Sequence, residues 1–375
     1  MYPKILTLCI SAALCAANLQ AETIETPPDH HHNHHASTEG YLHGRVDSHA
    51  PIGVMGDHMH RAGEFMFSYR YMHMSMNGNR TGSSNVSPGS FLAPPPSGRF
   101  VVAPTRMDMD MHMFGLMWAP TDDITFMAGF SYLDNEMEHV VANLPSPPLP
   151  PGVGGSTFRT QSSGISDLKL NLLFRLLEWE RSELILGQGV SLPTGSISER
   201  GFVPTFGTEV VLPYPMQLGS GTIDYLAALT YKSYWENWSW GAQVSGVVRT
   251  QKNDYDYQLG NVLEATGWLA RVLTEWASVS LRADFQTWGD IDGADPRIAQ
   301  TTPLGAFTVP TAQPDLRGGT RVDALLGFNF KLPKPFTGVH SNRIAVEAGL
   351  PVYQYLNGPQ LKTEWLVTVG WQLSW

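Results

Sequence analysis

The chain has 375 residues, with 34 acidic against 24 basic side chains, a net charge of −10 and only 15% charged residues. That balance excludes nucleic acid as a partner, and the lack of any run of 18 or more apolar residues past the N-terminus excludes helical membrane spans. The 36 glycines, 11 tryptophans and mean hydropathy of −0.14 fit a chain in which apolar and polar residues alternate.

Taken in chain order, Lys4 followed by the apolar run Ile5 to Ala17 and a cleavage site after Ala21 reads as a secretory signal peptide over residues 1–21. Cys9 and Cys15 both fall inside it, so the exported protein is expected to hold no disulfide. Residues 22–62 have no strand pattern and carry His30, His31, His32, His34 and His35. They are expected to form a histidine-rich periplasmic extension or a plug that enters the barrel. From residue 63 to 375, period-two alternation predicts twelve strands: 63–76, 105–118, 124–135, 166–177, 183–192, 223–234, 238–250, 260–274, 277–289, 320–332, 343–354 and 363–375. Each is long enough to cross a bilayer as a tilted strand.

Tight connections at 119–123, 178–182, 235–237 and 275–276, and a moderate one at 333–342, alternate with longer links. This is the asymmetry of short periplasmic turns and long extracellular loops. Trp118, Trp179, Trp235, Trp238, Trp276 and Trp375 gather on the short-turn side, where an interfacial girdle belongs, and Trp288 and Trp365 mark the opposite rim. The proline-rich stretches Pro94–Gly98 and Pro145–Gly152 read as stiff surface loops. The final strand places Trp365, Val367, Val369, Trp371, Leu373 and Trp375 on one face. The pattern resembles the C-terminal assembly signal of bacterial outer-membrane barrels, which makes the barrel assembly machinery an expected partner. The expected fold is therefore an all-β, antiparallel transmembrane β-barrel of about 12 strands in the outer membrane, in contact with its lipid.

Methionine and histidine crowd the first part of the chain: 12 of 13 histidines and 14 of 15 methionines precede residue 140. Imidazole and thioether are ligands for copper and related metals, which makes His30, His31, His32, His34, His35, His58 and His60, with Met72, Met74 and Met76, candidate metal ligands. In the first strand Phe65, Phe67, Tyr69 and Tyr71 take the lipid face, which turns Met72, Met74 and Met76 to the lumen. In the second strand Met107, Met109, Met111 and Met113 share one face and Arg106, Asp108, Asp110 and His112 the other. Four thioethers in a row read as apolar cover against lipid, which sends Asp108, Asp110 and His112 into the lumen with Arg106 pairing the carboxylates. Arg70, Arg106, Asp108, Asp110 and His112 are thus the expected selectivity residues of the pore. No nucleophile motif accompanies His112, and His139 and His340, each in a connection, read as exposed, so no catalytic residue and no enzyme is expected.

The segments Ala50 to Met72, Gly164 to Leu170 and Ser191 to Gly195 resemble a group of predicted outer-membrane transporters related to the barrels of a meta-pathway for phenol degradation. The resemblance spans roughly residues 50 to 375 and implies uptake of small compounds, aromatic ones among them. The favoured function is passive movement of a small solute without a cofactor. The alternative is a metal-linked outer-membrane protein that binds or transports copper or another divalent ion through its Met/His-rich N-terminal region.

Overall fold

The computed structural model describes residues 45–375 apart from 93–98, 145, 147–148, 302–306 and 336–337. The signal segment, His30–His35 and Pro94–Gly98 lie outside the described residues. The alternating segments pair edge to edge as β1 (Phe65–Gly82), β2 (Val102–Thr121), β3 (Ile124–Val141), β4 (Leu168–Trp179), β5 (Ser182–Leu192) and β6 (Asp224–Tyr234), followed by β7 (Trp238–Arg249), β8 (Val262–Thr274), β9 (Ala277–Trp288), β10 (Gly319–Lys331) and β11 (Ser341–Ser374). Each is antiparallel to the next, and β11 pairs back onto β1, so the sheet closes and leaves no open edge between its first and last strands.

The 34 residues of β11 would span about 110 Å if straight, far more than a bilayer. Its first arm runs antiparallel to β10 and its second antiparallel to β1. Because β1 and β10 are opposed after nine antiparallel steps, the two arms must run in opposite directions. They form a hairpin in which the Gln354 amide donates to the Thr363 carbonyl (2.8 Å) and accepts from the Thr363 N–H (2.9 Å). Eleven elements thus make twelve staves.

Alternation sorts the side chains. Leu116, Phe126, Leu170, Leu229, Val244 and Leu281 are exposed on the outer wall, an apolar band for lipid. Below it stand exposed Phe65, Trp118, Trp179, Trp235, Trp276 and Trp375. Phe65 stacks between Trp118 (6.1 Å) and Trp375 (6.2 Å) across the closing seam. The inner wall is polar and buried, with Ser68, Thr125, Thr230, Gln243, Thr266 and Ser280 among its residues.

The structure departs from the expected boundaries on one side. β1, β2 and β3 extend beyond the membrane band to Gly82, Val102 and Val141, and the link expected at 136–165 contains a further strand, Thr157–Ile165, paired with the outer half of β3. His139 accordingly lies in β3 rather than in a loop. It is buried, stacked on Phe158 at 4.7 Å, and is not the exposed histidine expected; His340 is exposed, with its ring 2.9 Å from Glu64. The long connections also fold. Val101, Val141, Val211, Tyr214, Tyr257 and Ile298 share one apolar core, and the hairpin Arg200–Val203/Thr208–Val211 supplies Val211 to it and Val203 to a second cluster with Met107, Met137, Leu212 and Met216. The extracellular end is a built cap.

Two of the motifs that carry the family resemblance meet at the base of this cap. Asp167 accepts hydrogen bonds from the Gly195 N–H (3.0 Å) and from both the N–H and hydroxyl of Ser220 (2.8 Å each), while the Thr194 hydroxyl donates to the Ser166 carbonyl (3.1 Å). A Cβ on Gly195 would stand 2.7 Å from the Leu218 carbonyl oxygen, so only glycine fits.

Candidate functional site in the barrel interior

Residues 45–62 run through the periplasmic half of the lumen as a plug held from many sides. The Tyr234 hydroxyl donates to the Ser48 carbonyl (2.9 Å), Arg343 Nη2 to the Ala50 carbonyl (2.9 Å), Gln243 Nε2 to the Met55 carbonyl (2.9 Å), and the His60 N–H to Thr125 Oγ1 (3.2 Å). Ala50 and Val54 pack on inward-facing Trp268, and Ile52 lies against Gly370. The plug tip is Gly53, whose N–H donates to Glu347 Oε2 (3.1 Å). Any side chain here would collide with a paired charge, since a Cβ would sit 2.4 Å from Arg282 Nη2 and 2.5 Å from Glu347 Oε2.

That charge pair is the centre of a girdle. Arg282 grips Glu347 with two hydrogen bonds of 2.9 Å each and also donates to Thr266 Oγ1 (3.3 Å), with Asp284 at 3.3 Å. Arg321 pairs with Asp323 at 2.9 Å, and lower down Lys232 pairs with Glu183 at 2.9 Å. Arg70 faces the lumen beside Ile52, with Nε and Nη1 buried and without hydrogen-bond partners.

The remaining expected pore residues take the opposite face. Residues opposite one another in adjacent strands share a face, and the register sets Met111 against Met72, Met109 against Met74 and Met107 against Met76. The methionine column therefore faces the lumen. Met107 and Met137 are buried with Met216 and Leu212 beneath the cap, and Met74 Sδ accepts from Arg321 (3.9 Å) and Thr363 (3.8 Å). Asp108, Asp110 and His112 point outward instead, opposite Ser75, His73 and Tyr71. Asp110 accepts from the Tyr71 hydroxyl and lies 2.8 Å from His73 Nδ1, His112 meets the Tyr69 hydroxyl at 2.8 Å, and Arg106, largely exposed, pairs with Asp108 at 2.8 Å. The expectation of lipid-facing methionines and lumenal carboxylates is thus reversed. A filled lumen is itself apolar enough to bury thioethers, and above the lipid band the outer wall is wet enough to keep carboxylates charged.

A cavity of about 330 Å³ opens at the periplasmic mouth, lined by His49, His58, Met59, His60, Lys232 and Arg343 among others. His58 and His60, expected from the sequence, meet there with His49, which was not expected. The rings of His49 and His58 are 4.3 Å apart and those of His58 and His60 4.9 Å. Burial holds the His49 and His58 pKa values below the ordinary imidazole range. Asp57 is buried too, which opposes ionisation, yet its contact with His58 Nδ1 (2.8 Å) keeps the carboxyl well below its usual range. At the rim, burial likewise opposes ionisation of Glu64, but hydrogen bonds from His60 and the Arg61 N–H bring its pKa down to about 2. Met72, Met74 and Met76 are not part of this cluster; they lie up the wall in the methionine column.

Sequence reasoning also missed Arg282, Glu347, Asp284, Lys232 and Glu183. A signal was present, for each is a charge at inward parity within an otherwise apolar-alternating strand.

No protein-family model matches the chain, and no curated protein is recognisably similar to it. Among solved structures, the COG4313 outer membrane channel from Pseudomonas putida F1 aligns over 86% of this chain and 99% of its own, with a TM-score of 0.53 at 14% identity. The P. putida toluene transporter TodX (83% and 89% covered, TM-score 0.39, 10% identity) and a Pseudomonas aeruginosa FadL homologue (84% and 89%, TM-score 0.34, 10% identity) align more loosely. The first shows the fold to be that of an outer-membrane channel barrel.

Proposed function

We propose that this protein is an outer-membrane channel that passes small amphipathic solutes, aromatic acids foremost, by passive movement through the lumen. The observation that carries this reading is the sequence of surfaces along the inner wall. A thioether-lined stretch (Met72, Met74, Met109, Met111) lies above a charged girdle built on Arg70, Arg282 and Glu347. Thioethers accommodate aromatic faces at little desolvation cost, and a guanidinium without a full set of partners attracts a carboxylate. The family resemblance implies small solutes with aromatic ones among them, and selectivity then rests on wall chemistry and pore width rather than on catalysis.

The test is solute flux into liposomes holding the purified protein, with benzoate, an uncharged sugar of similar size and a small inorganic cation in parallel. Benzoate is expected to enter fastest, and Arg70→Met to slow benzoate more than sugar. Equal rates for all three solutes, unchanged by Arg70→Met, would contradict the assignment.

A further inference from the structure

We infer that the plug carries a transition-metal site at the periplasmic mouth, formed by His49 and His58 with Asp57 and His60 beside them, for a divalent ion of the copper and zinc type. Ligand atoms of His49, Asp57 and His58 all lie within 4.8 Å of one another, before any ion has drawn them together. His58 and His60 are more than nine-tenths buried, and His49 Nδ1, His58 Nε2 and His60 Nε2 are all buried with no hydrogen-bond partner. Such orphaned nitrogens are expensive in a folded protein and call for an occupant.

The second contacts of the rings set their lone pairs. An oxygen of the Asp57 carboxyl group lies 2.8 Å from His58 Nδ1 as its acceptor, so His58 donates from Nδ1 and its lone pair is left on Nε2. The Glu64 carboxylate stands in the same relation to His60 Nδ1 at 3.4 Å. A carboxylate behind a histidine, with the far nitrogen free, is the arrangement found around metal-bound imidazoles. Asp57 is itself fixed through its other oxygen, which accepts from the Ala50 N–H at 2.7 Å.

The cationic neighbours do not overturn this. Lys232 is matched by Glu183 at 2.9 Å, and Arg343 is directed to the Ala50 carbonyl and to Asn329 Oδ1 (2.7 Å). Imidazole nitrogens suit borderline metals, whereas hard ions such as Mg²⁺ and Ca²⁺ need clustered oxygens that are absent from this group. Because His49 and His58 lie nine positions apart along the plug, an ion held between them would tie those two stretches together. Resting on the channel reading, it would also stiffen the obstruction in the lumen.

The experiment uses the full chain in detergent with His30, His31, His32, His34 and His35 replaced by alanine, so that the tail does not mask the plug. Titration with Zn²⁺ and Cu²⁺ should show one equivalent bound, and the Cu²⁺ spectrum should carry hyperfine coupling from at least two nitrogens. His49→Ala and His58→Ala, singly and together, should weaken binding by 100-fold or more, and Asp57→Asn by 10- to 100-fold. His139→Ala, which removes a buried histidine in β3, should change nothing. Heat-modifiable migration shows which variants are folded, and the single variants test the site even where the double variant fails to fold. Absence of a stoichiometric site, or unchanged affinity in folded His49→Ala and His58→Ala, would overturn the inference whatever the protein conducts.

Discussion

On β2, neighbouring side chains one residue apart have opposite surroundings: Met111 faces Met72 across the lumen wall, and Asp110 faces His73 on the outside. This can be tested one atom at a time, because both native cysteines lie in the first 21 residues and the barrel itself holds no thiol. In vesicles, Asp110→Cys is expected to react with a bulky, membrane-impermeant maleimide at a rate close to that of an exposed thiol. Met111→Cys should react at least tenfold more slowly until the protein is heat-denatured. The reverse order would put the carboxylates back in the lumen. Alternation alone could not decide between the two. It states which residues share a face, and the direction of that face comes from cross-strand register and from what fills the interior. His49 was illegible for a related reason: eight residues separate it from His58, and the loop closed by the Asp57–Ala50 hydrogen bond brings the two rings together.

Most wall strands were legible to within a few residues, because a half-buried strand stamps its period on the sequence, although β1 and β3 run six residues past their expected ends and Thr157–Ile165 was missed. The expected 277–289 and 238–250 appear as Ala277–Trp288 and Trp238–Arg249. The connections were not legible, because folded loops follow no period, and their core forms from residues far apart, such as Val101, Tyr214 and Ile298. Asp167 shows how such a cap is fastened to the wall. Replacing it by alanine leaves the Gly195 and Ser220 N–H groups without their acceptor. Loss of hydrogen bonds to a buried carboxylate costs about 3 kcal/mol. Asp167→Ala is therefore expected to keep its heat-modifiable barrel while the segment 193–222 becomes sensitive to limited proteolysis. Wild-type resistance in that variant would mean that the cap is held elsewhere.

For the whole molecule, wall, plug and cap divide the work. The outer band and aromatic girdle hold the barrel in lipid, and the β1–β11 seam closes it, with Phe65 and Trp375 exchanging backbone hydrogen bonds of 2.9 and 3.0 Å. The plug then determines how much of the lumen is open, and its tip is locked at Gly53 against the Arg282–Glu347 pair. A larger residue at 53 must either break a buried ion pair, which is strongly destabilising, or leave the wall. The plug has fewer anchors than the closed sheet, so it is the part expected to move. The decisive measurement is ion conductance across planar bilayers for the wild-type protein and for Gly53→Leu, both shown to be heat-modifiable. A small wild-type conductance, several-fold larger in Gly53→Leu, is the predicted result; no conductance in either, or equal conductance in both, would contradict a plugged channel.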